Sequence, residues 1–337
     1  MISQTIVFKK RILIADVASI AGPKEAQGPL GKYFDKTLDD DLLGQKSYEI
    51  FESKIHRCVI GYLLNKTKTR CDELNFCIGG DLNNELYATS FAMRELDIPF
   101  IGAFAACASY GLSIIIASLF IESGHSQKII CSTSSHFSTA ERQFRFPLEL
   151  SSQRPPSSQW TVTGAAALML NTLKGKIRVE SVTIGKVVDL GIKDSTNMGA
   201  AMVPAALCTL SAHLSALNRN PSYYDLIITG DLGVAGSELL RICAKKQQLN
   251  LNIPLYSDCG CIIFDSDKDS GQGGSGAACS ALVFNAYVFK KLLDKTYKRV
   301  LFIPTGSLLS KTSCLQRQSI PAIAHAIAFE RIQRGGE

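Results

Sequence analysis

The chain is short of charge: 20% of its 337 residues are Asp, Glu, Lys or Arg. No block of five like charges occurs, so the tail of a nucleic-acid binder is not indicated. The formal net charge of +6 is spread along the sequence and fits an anionic ligand or surface only in a general way. Histidine is scarce, limited to His56, His125, His136, His213 and His325, and Trp160 is the single tryptophan. The eleven cysteines lack paired CxxC spacing, and Cys259-Gly260-Cys261 is too close for a zinc site, so no metal is expected. They read as reduced, mostly buried thiols, since a core this large does not need a disulfide framework. Met1 to Lys10 has no long apolar run, so no secretory signal is expected. Phe100 to Ile121 is uncharged over 22 residues, long enough to cross a bilayer. It also holds Gly102, Cys107, Ser109, Tyr110, Gly111 and Ser113, and it divides into a strand, a turn and a helix. A buried core helix is therefore expected, with no transmembrane helix.

What is present is an internal repeat. Asn75 to Gly79 is a strand-like run leading into Gly80-Asp81-Leu82, and Asp225 to Thr229 leads into Gly230-Asp231-Leu232, 150 residues later. Ala105-Ala106-Cys107 and Ala277-Ala278-Cys279 each open an apolar helix. In both halves a β-rich run then ends on a threonine, Thr133 or Thr305, 26 residues after the cysteine. Alternating β-branched runs, Arg11 to Ala21 and Lys176 to Leu190, begin the halves. Small-residue strands, Thr163 to Leu170 and Ile323 to Phe329, end them. The second half gains 22 residues between its markers, where Cys259 to Asp265 reads as an added hairpin. Strands alternating with helices imply βαβ units. The expected fold is α/β, with pseudo-symmetric halves at 1–172 and 173–337 packed as five layers, α-β-α-β-α, the thiolase-like architecture.

Three places could carry chemistry. Cys107 follows the apolar strand Pro99 to Phe104 and precedes a helix, where unpaired N–H groups favour a thiolate. It is either a nucleophile, a pocket wall or one more buried thiol. The segment from Ser134 through Trp160 gathers His136, Arg142, Gln143, Arg145 and Arg154 around aromatic residues. Long irregular segments are usually functional, and Arg forks pair with carboxylates. The competing reading pairs Arg142 and Arg145 with Glu141 and Glu149 on a solvated loop. Asp258, in Tyr256-Ser257-Asp258-Cys259-Gly260, either caps a helix, orients a histidine or chelates a cation.

Several long motifs resemble the stage V sporulation protein AD family. They are Gly22-Pro23-Lys24-Glu25, Arg142-Gln143-Phe144-Arg145-Phe146-Pro147-Leu148-Glu149, Gln153-Arg154-Pro155-Pro156 and Gln159-Trp160-Thr161-Val162-Thr163-Gly164, with Gly230-Asp231-Leu232-Gly233, Asp258-Cys259-Gly260, Gly273-Gly274-Ser275-Gly276 and Ile323-Ala324-His325-Ala326. The resemblance runs from about residue 5 to residue 331. It implies a thiolase-like fold without thiolase activity. No histidine lies in a Gly-His-Pro turn, and Gly273 to Ala277 and Pro304 to Ser307 stand where thiolases place their catalytic partners. It also implies binding of dipicolinic acid, free or as its calcium chelate, beside membrane proteins of the same sporulation operon and peripheral to the inner spore membrane. Cys107, His136, Arg142, Gln143, Arg145 and Asp258 are the ligand-binding candidates, with no cofactor and no nucleic acid. Dimerisation through sheet edges is common on this fold, so a homodimer is expected. The alternative is a working acyltransferase or condensing enzyme that uses Cys107 as nucleophile.

Overall fold

The computed structural model describes residues 3–144, 154–252, 254–264 and 270–332. Its first half runs β1 (Leu13–Ala21), α1 (Tyr48–Thr67), β2 (Phe76–Gly80), α2 (Tyr87–Leu96), β3 (Phe100–Gly102), α3 (Ser109–Ser123), β4 (Lys128–Ser135), α4 (Phe137–Phe144) and β5 (Gly164–Asn171). The second half runs β6 (Ile177–Thr183), α5 (Met198–Ala216), β7 (Leu226–Thr229), α6 (Gly233–Lys246), β8 (Tyr256–Asp258), α7 (Cys259–Ile263), α8 (Ala277–Val283), β9 (Arg299–Ile303) and β10 (Ala326–Arg331).

Strand order repeats between the halves. Across the sheet it reads β8-β7-β9-β10-β6-β1-β5-β4-β2-β3, so each half has the same five-strand arrangement. In each half the outer three strands are parallel and the inner two antiparallel. The halves join where Leu13 faces Arg178 and Ile14 faces Ile177.

Period-two alternation explains the layers. In β5, Ala166, Leu168 and Leu170 face the central core, while Ala165, Ala167 and Met169 face α1 and α2. In β9, Val300 and Phe302 face the centre, while Leu301 and Ile303 face α5 and α6. Residues of both halves share the central core with α3 and α8. The result is the five-layer stack expected from the repeat.

The uncharged run from Phe100 divides as expected, into β3, a turn and α3. Among the described residues, two segments, Ala106–Ser123 and Met198–Ala216, are long and apolar enough to cross a membrane, but they are 67% and 61% buried within the fold. The expected hairpin at Cys259 is instead the helix α7. Asp258 starts it by accepting the Cys261 amide at 3.2 Å. β8 is the counterpart of β3, so the extra residues leave the strand order unchanged.

Candidate ligand-binding site

The chain reaches Cys107 through a strained elbow. Ala106 has φ +50°, a left-handed conformation unusual for alanine. Ser109 secures the turn, donating from Oγ to the Ala106 carbonyl at 2.7 Å and accepting the Ala105 amide at 2.9 Å. The second half presses on it from the strand Thr305–Ser307. A Cβ at Gly306 would lie 2.3 Å from the Ala105 oxygen, so only glycine permits this approach. Cys107 therefore stands just ahead of α3, where the two halves meet.

A small, mostly apolar hollow opens beside it. Leu82, Ala106, Ala140, Phe144 and Met198 form apolar walls, and Thr161, Ser275, Gly276 and Ser307 supply polar atoms. Both halves contribute. Helix α4 brings Ala140 and Phe144, so the segment singled out in the sequence does reach this hollow, though through its apolar residues.

The electrostatics centre on Asp231, which is fully buried. It accepts from Ser275 Oγ at 2.9 Å, Thr305 Oγ1 at 2.8 Å and the Gly276 amide at 3.2 Å, and it is hydrogen-bonded to the Cys107 thiol. Burial raises the Asp231 carboxyl above its usual range. Burial, then the Asp231 charge, push the Cys107 thiol well above its ordinary value. This corrects the expectation of a lowered thiol pKa. The helix N-terminus cannot offset a dry site with a carboxylate beside the sulfur. The side chain is a thiol hydrogen-bond donor, not a thiolate.

The other candidates fall elsewhere. His136 is fully buried under Tyr48 and Phe51; its Nδ1 accepts the Ser138 amide at 3.0 Å and its Nε2 lies 3.0 Å from the Asp41 carbonyl. Burial lowers its pKa. Arg142 turns outward to Glu49 at 2.9 Å. Gln143 exchanges hydrogen bonds with Asn84. Asp258 caps α7 and also accepts from Thr229 Oγ1 at 2.7 Å and the Leu232 and Gly233 amides at 3.0 and 3.1 Å. Burial pushes it up to about 6. Neither His136, Arg142, Gln143 nor Asp258 lines the hollow, and Arg145 lies outside the described residues. No histidine lines it either. His56 is held by Ser132 and Ser134, His213 by Thr183 and Tyr224, and His325 Nδ1 accepts the Gly185 amide. Among the described residues, no group of three or more His, Cys, Asp or Glu side chains is placed to hold a metal ion.

Asp231, Ser275 and Thr305 were missed as site residues. The signal was in the repeated Gly-Asp-Leu turn, which marks the internal symmetry. An acid embedded in a small-residue turn after an apolar strand must be buried, and a buried acid needs donors.

Solved structures share this fold. OleA from Xanthomonas campestris aligns with a TM-score of 0.64 at 14% identity, covering 97% of this chain and 99% of that one. For the human mitochondrial 3-ketoacyl-CoA thiolase the values are 0.57, 12%, 96% and 99%. For 3-oxoacyl-[acyl-carrier-protein] synthase III from Aquifex aeolicus they are 0.57, 11%, 95% and 99%. At such identities the likeness speaks for the fold alone. The sequence is 40% identical over 328 residues to stage V sporulation protein AD of Bacillus subtilis, covering 97% of each chain. Residues 2–330 match the family model described as Stage V sporulation protein AD (SpoVAD). The chain belongs to the stage V sporulation protein AD family, built on the thiolase-like fold.

Proposed function

We propose that the hollow beside Cys107 binds dipicolinic acid, as the free acid or its calcium chelate, and does not transform it. One observation carries this reading: the fold retains a cavity at Cys107, yet the thiol is held protonated beside the Asp231 charge, and no histidine lines the cavity. An acyl-transfer cysteine needs a base and a stabilised thiolate. A binding site needs only shape and donors. Thr161, Ser275 and Ser307 offer hydroxyls, and Leu82, Phe144 and Met198 offer apolar walls for a flat ring. The Asp231 carboxyl sets a preference. A charge-neutral calcium chelate meets less repulsion there than a free dianion does. In this reading the protein works beside the membrane proteins of its operon at the inner spore membrane.

Calorimetry with dipicolinate, with and without calcium, tests the proposal. The expected result is saturable binding, tighter with calcium, abolished when Met198→Trp fills the hollow. Absence of heat and of any melting shift under both conditions would refute it.

A second reading is acyl transfer through Cys107. It draws support from the strained Ala106 elbow, which presents the side chain at the start of the central helix. Intact-mass analysis after incubation with acyl-CoA decides it: an adduct on Cys107 with turnover favours the enzyme, and an unmodified thiol favours the binder.

A further inference from the structure

A second buried polar cluster lies in the first half, on the outer side of the sheet. Glu52 and His56 project from α1, Asp81 and Asn83 from the turn after β2, Thr89 from α2, Ser132 and Ser134 from β4, and Thr139 from α4. Glu52, His56 and Asp81 are fully buried. The Asn83 amide nitrogen lies 3.0 Å from Glu52 Oε2 and 3.0 Å from Asp81 Oδ1, so one amide bridges two carboxyls. Asp81 Oδ2 also accepts from the Thr89 hydroxyl at 2.6 Å and its amide at 2.8 Å. Glu52 meets Ser134 Oγ at 3.1 Å and Thr139 Oγ1 at 2.7 Å.

Every one of these partners is neutral. Charged groups on the surrounding elements are engaged elsewhere. Glu49 pairs with Arg142, Arg57 and Arg94 with Glu95, Lys66 with Asp16 and Asp35, and Arg154 with Glu141. Lys54 reaches the Leu43 carbonyl, and His136 the Asp41 carbonyl. Glu85 is exposed. His56 does not compensate either, because burial lowers it to about 3 and its two nitrogens are taken by Ser134 at 3.0 Å and Ser132 at 2.9 Å. Among the described residues, neither carboxyl has a cationic partner. Two dry carboxylates joined by a single amide cannot both ionise at low cost.

The cluster has a mechanical connection. Thr139 hangs α4 from Glu52, and the next residue, Ala140, lines the Cys107 hollow together with Phe144 from the same helix. We propose that Glu52 and Asp81 are positioning residues that share a proton and thereby hold α4 in place as a wall of the hollow, releasing that wall when both carboxyls are ionised. With its proton on Oε1, Glu52 donates to Ser134, Ser134 donates to His56 Nδ1, and His56 Nε2–H donates to Ser132. Oε2 stays free to accept from Thr139 and Asn83. Loss of the proton leaves two adjacent anions, and separating them pulls on α4.

The pH window follows from the carboxyl most affected. Burial and then the Asp81 charge push Glu52 up to about 8, while burial raises Asp81. A raised carboxyl favours the folded arrangement while it holds its proton. The hold on α4 is therefore present at neutral pH and is lost as pH rises through about 8.

Hydrogen exchange on the full chain without ligand tests this, so the result is independent of what the hollow binds. After correction for intrinsic exchange, protection of Phe137–Phe144 should fall about tenfold between roughly pH 7 and 9 in the wild type. In Glu52→Gln, whose amide reproduces the protonated pattern, protection should stay flat. A flat wild-type profile, or the same fall in the variant, would overturn the proposal. Infrared spectra of the wild type give a second reading that needs no variant. A carboxylic-acid carbonyl band should disappear on raising the pH across the same window. Its absence at neutral pH would equally overturn the proposal. Thr139→Val should leave that band in place while α4 loses protection at neutral pH; unchanged protection would break the link from the cluster to the helix.

Discussion

Asp231 and Cys107 test how far a carboxylate controls its neighbours. Asp231 accepts two hydroxyls and one amide besides the thiol, so the Asp231→Asn variant would point an NH₂ at groups that donate to the aspartate. We expect a stability loss of about 1 to 3 kcal/mol. The same change removes the charge that opposes a Cys107 thiolate. Burial remains, so the thiol stays above its ordinary value, but by less. Alkylation of the Cys107 peptide, followed by mass spectrometry against pH, should show its midpoint shifted downward in the variant. A midpoint that does not move would mean that burial alone holds the proton. The residue scale was the least legible in the sequence. Cys107 could be located because an apolar strand and an apolar helix flank it. The orientations of His136 and Arg142 could not, because each depends on partners nearly a hundred positions away, at Asp41 and Glu49.

At the scale of elements, two glycines separate propensity from close approach. Gly61 lies inside α1, and a Cβ there would meet nothing within 4 Å. Gly61→Ala should stabilise the protein by about 0.5 to 1 kcal/mol by restricting the unfolded chain and favouring the helix. Gly306 is the opposite case. Its Cβ would press into the Ala105 carbonyl at the foot of the elbow, so Gly306→Ala should cost at least about 2 kcal/mol and displace Cys107. Chemical denaturation measures both, and effects of equal sign would show that the elbow is not pressed as described. Elements were well legible. The repeated strand–Gly-Asp-Leu–helix signal pointed to two like halves of βαβ units in five layers, whereas the order of strands within each half is seen only in the structure. The segment at Cys259 was misread because Cys-Ile-Ile-Phe has β-branched character, whereas the preceding Asp258 supplies a helix cap. Capping is a local hydrogen-bond choice that outweighs weak propensity in so short a run.

For the whole molecule the question is what makes two similar halves behave as one. Apolar packing around α3 and α8 provides most of the contact, but it sets the relative position of the halves only loosely. A directional tie exists at Asn285, fully buried in the π-helical turn Phe284–Val288 that follows α8. Its Nδ2 donates to the carbonyls of Ala18 in β1 and Ala167 in β5, at 2.8 and 3.0 Å, and its Oδ1 accepts from Tyr110 in α3 at 2.8 Å. One second-half side chain thus holds two strands and the central helix of the first half. Burial raises the Tyr110 hydroxyl well above its ordinary value, so it remains a donor at any ordinary pH. Asn285→Ala would remove the partner of three buried groups at once, at about 1 to 3 kcal/mol for each group left unsatisfied, and we expect a total loss of at least about 3 kcal/mol. Tyr110→Phe strands only the amide oxygen and should cost about 1 to 2 kcal/mol. Unfolding followed by Trp160 fluorescence, in the first half, and by far-ultraviolet circular dichroism, over the whole chain, should coincide in the wild type. In Asn285→Ala both curves should shift to lower denaturant, and a midpoint equal to that of the wild type would show that packing alone aligns the halves.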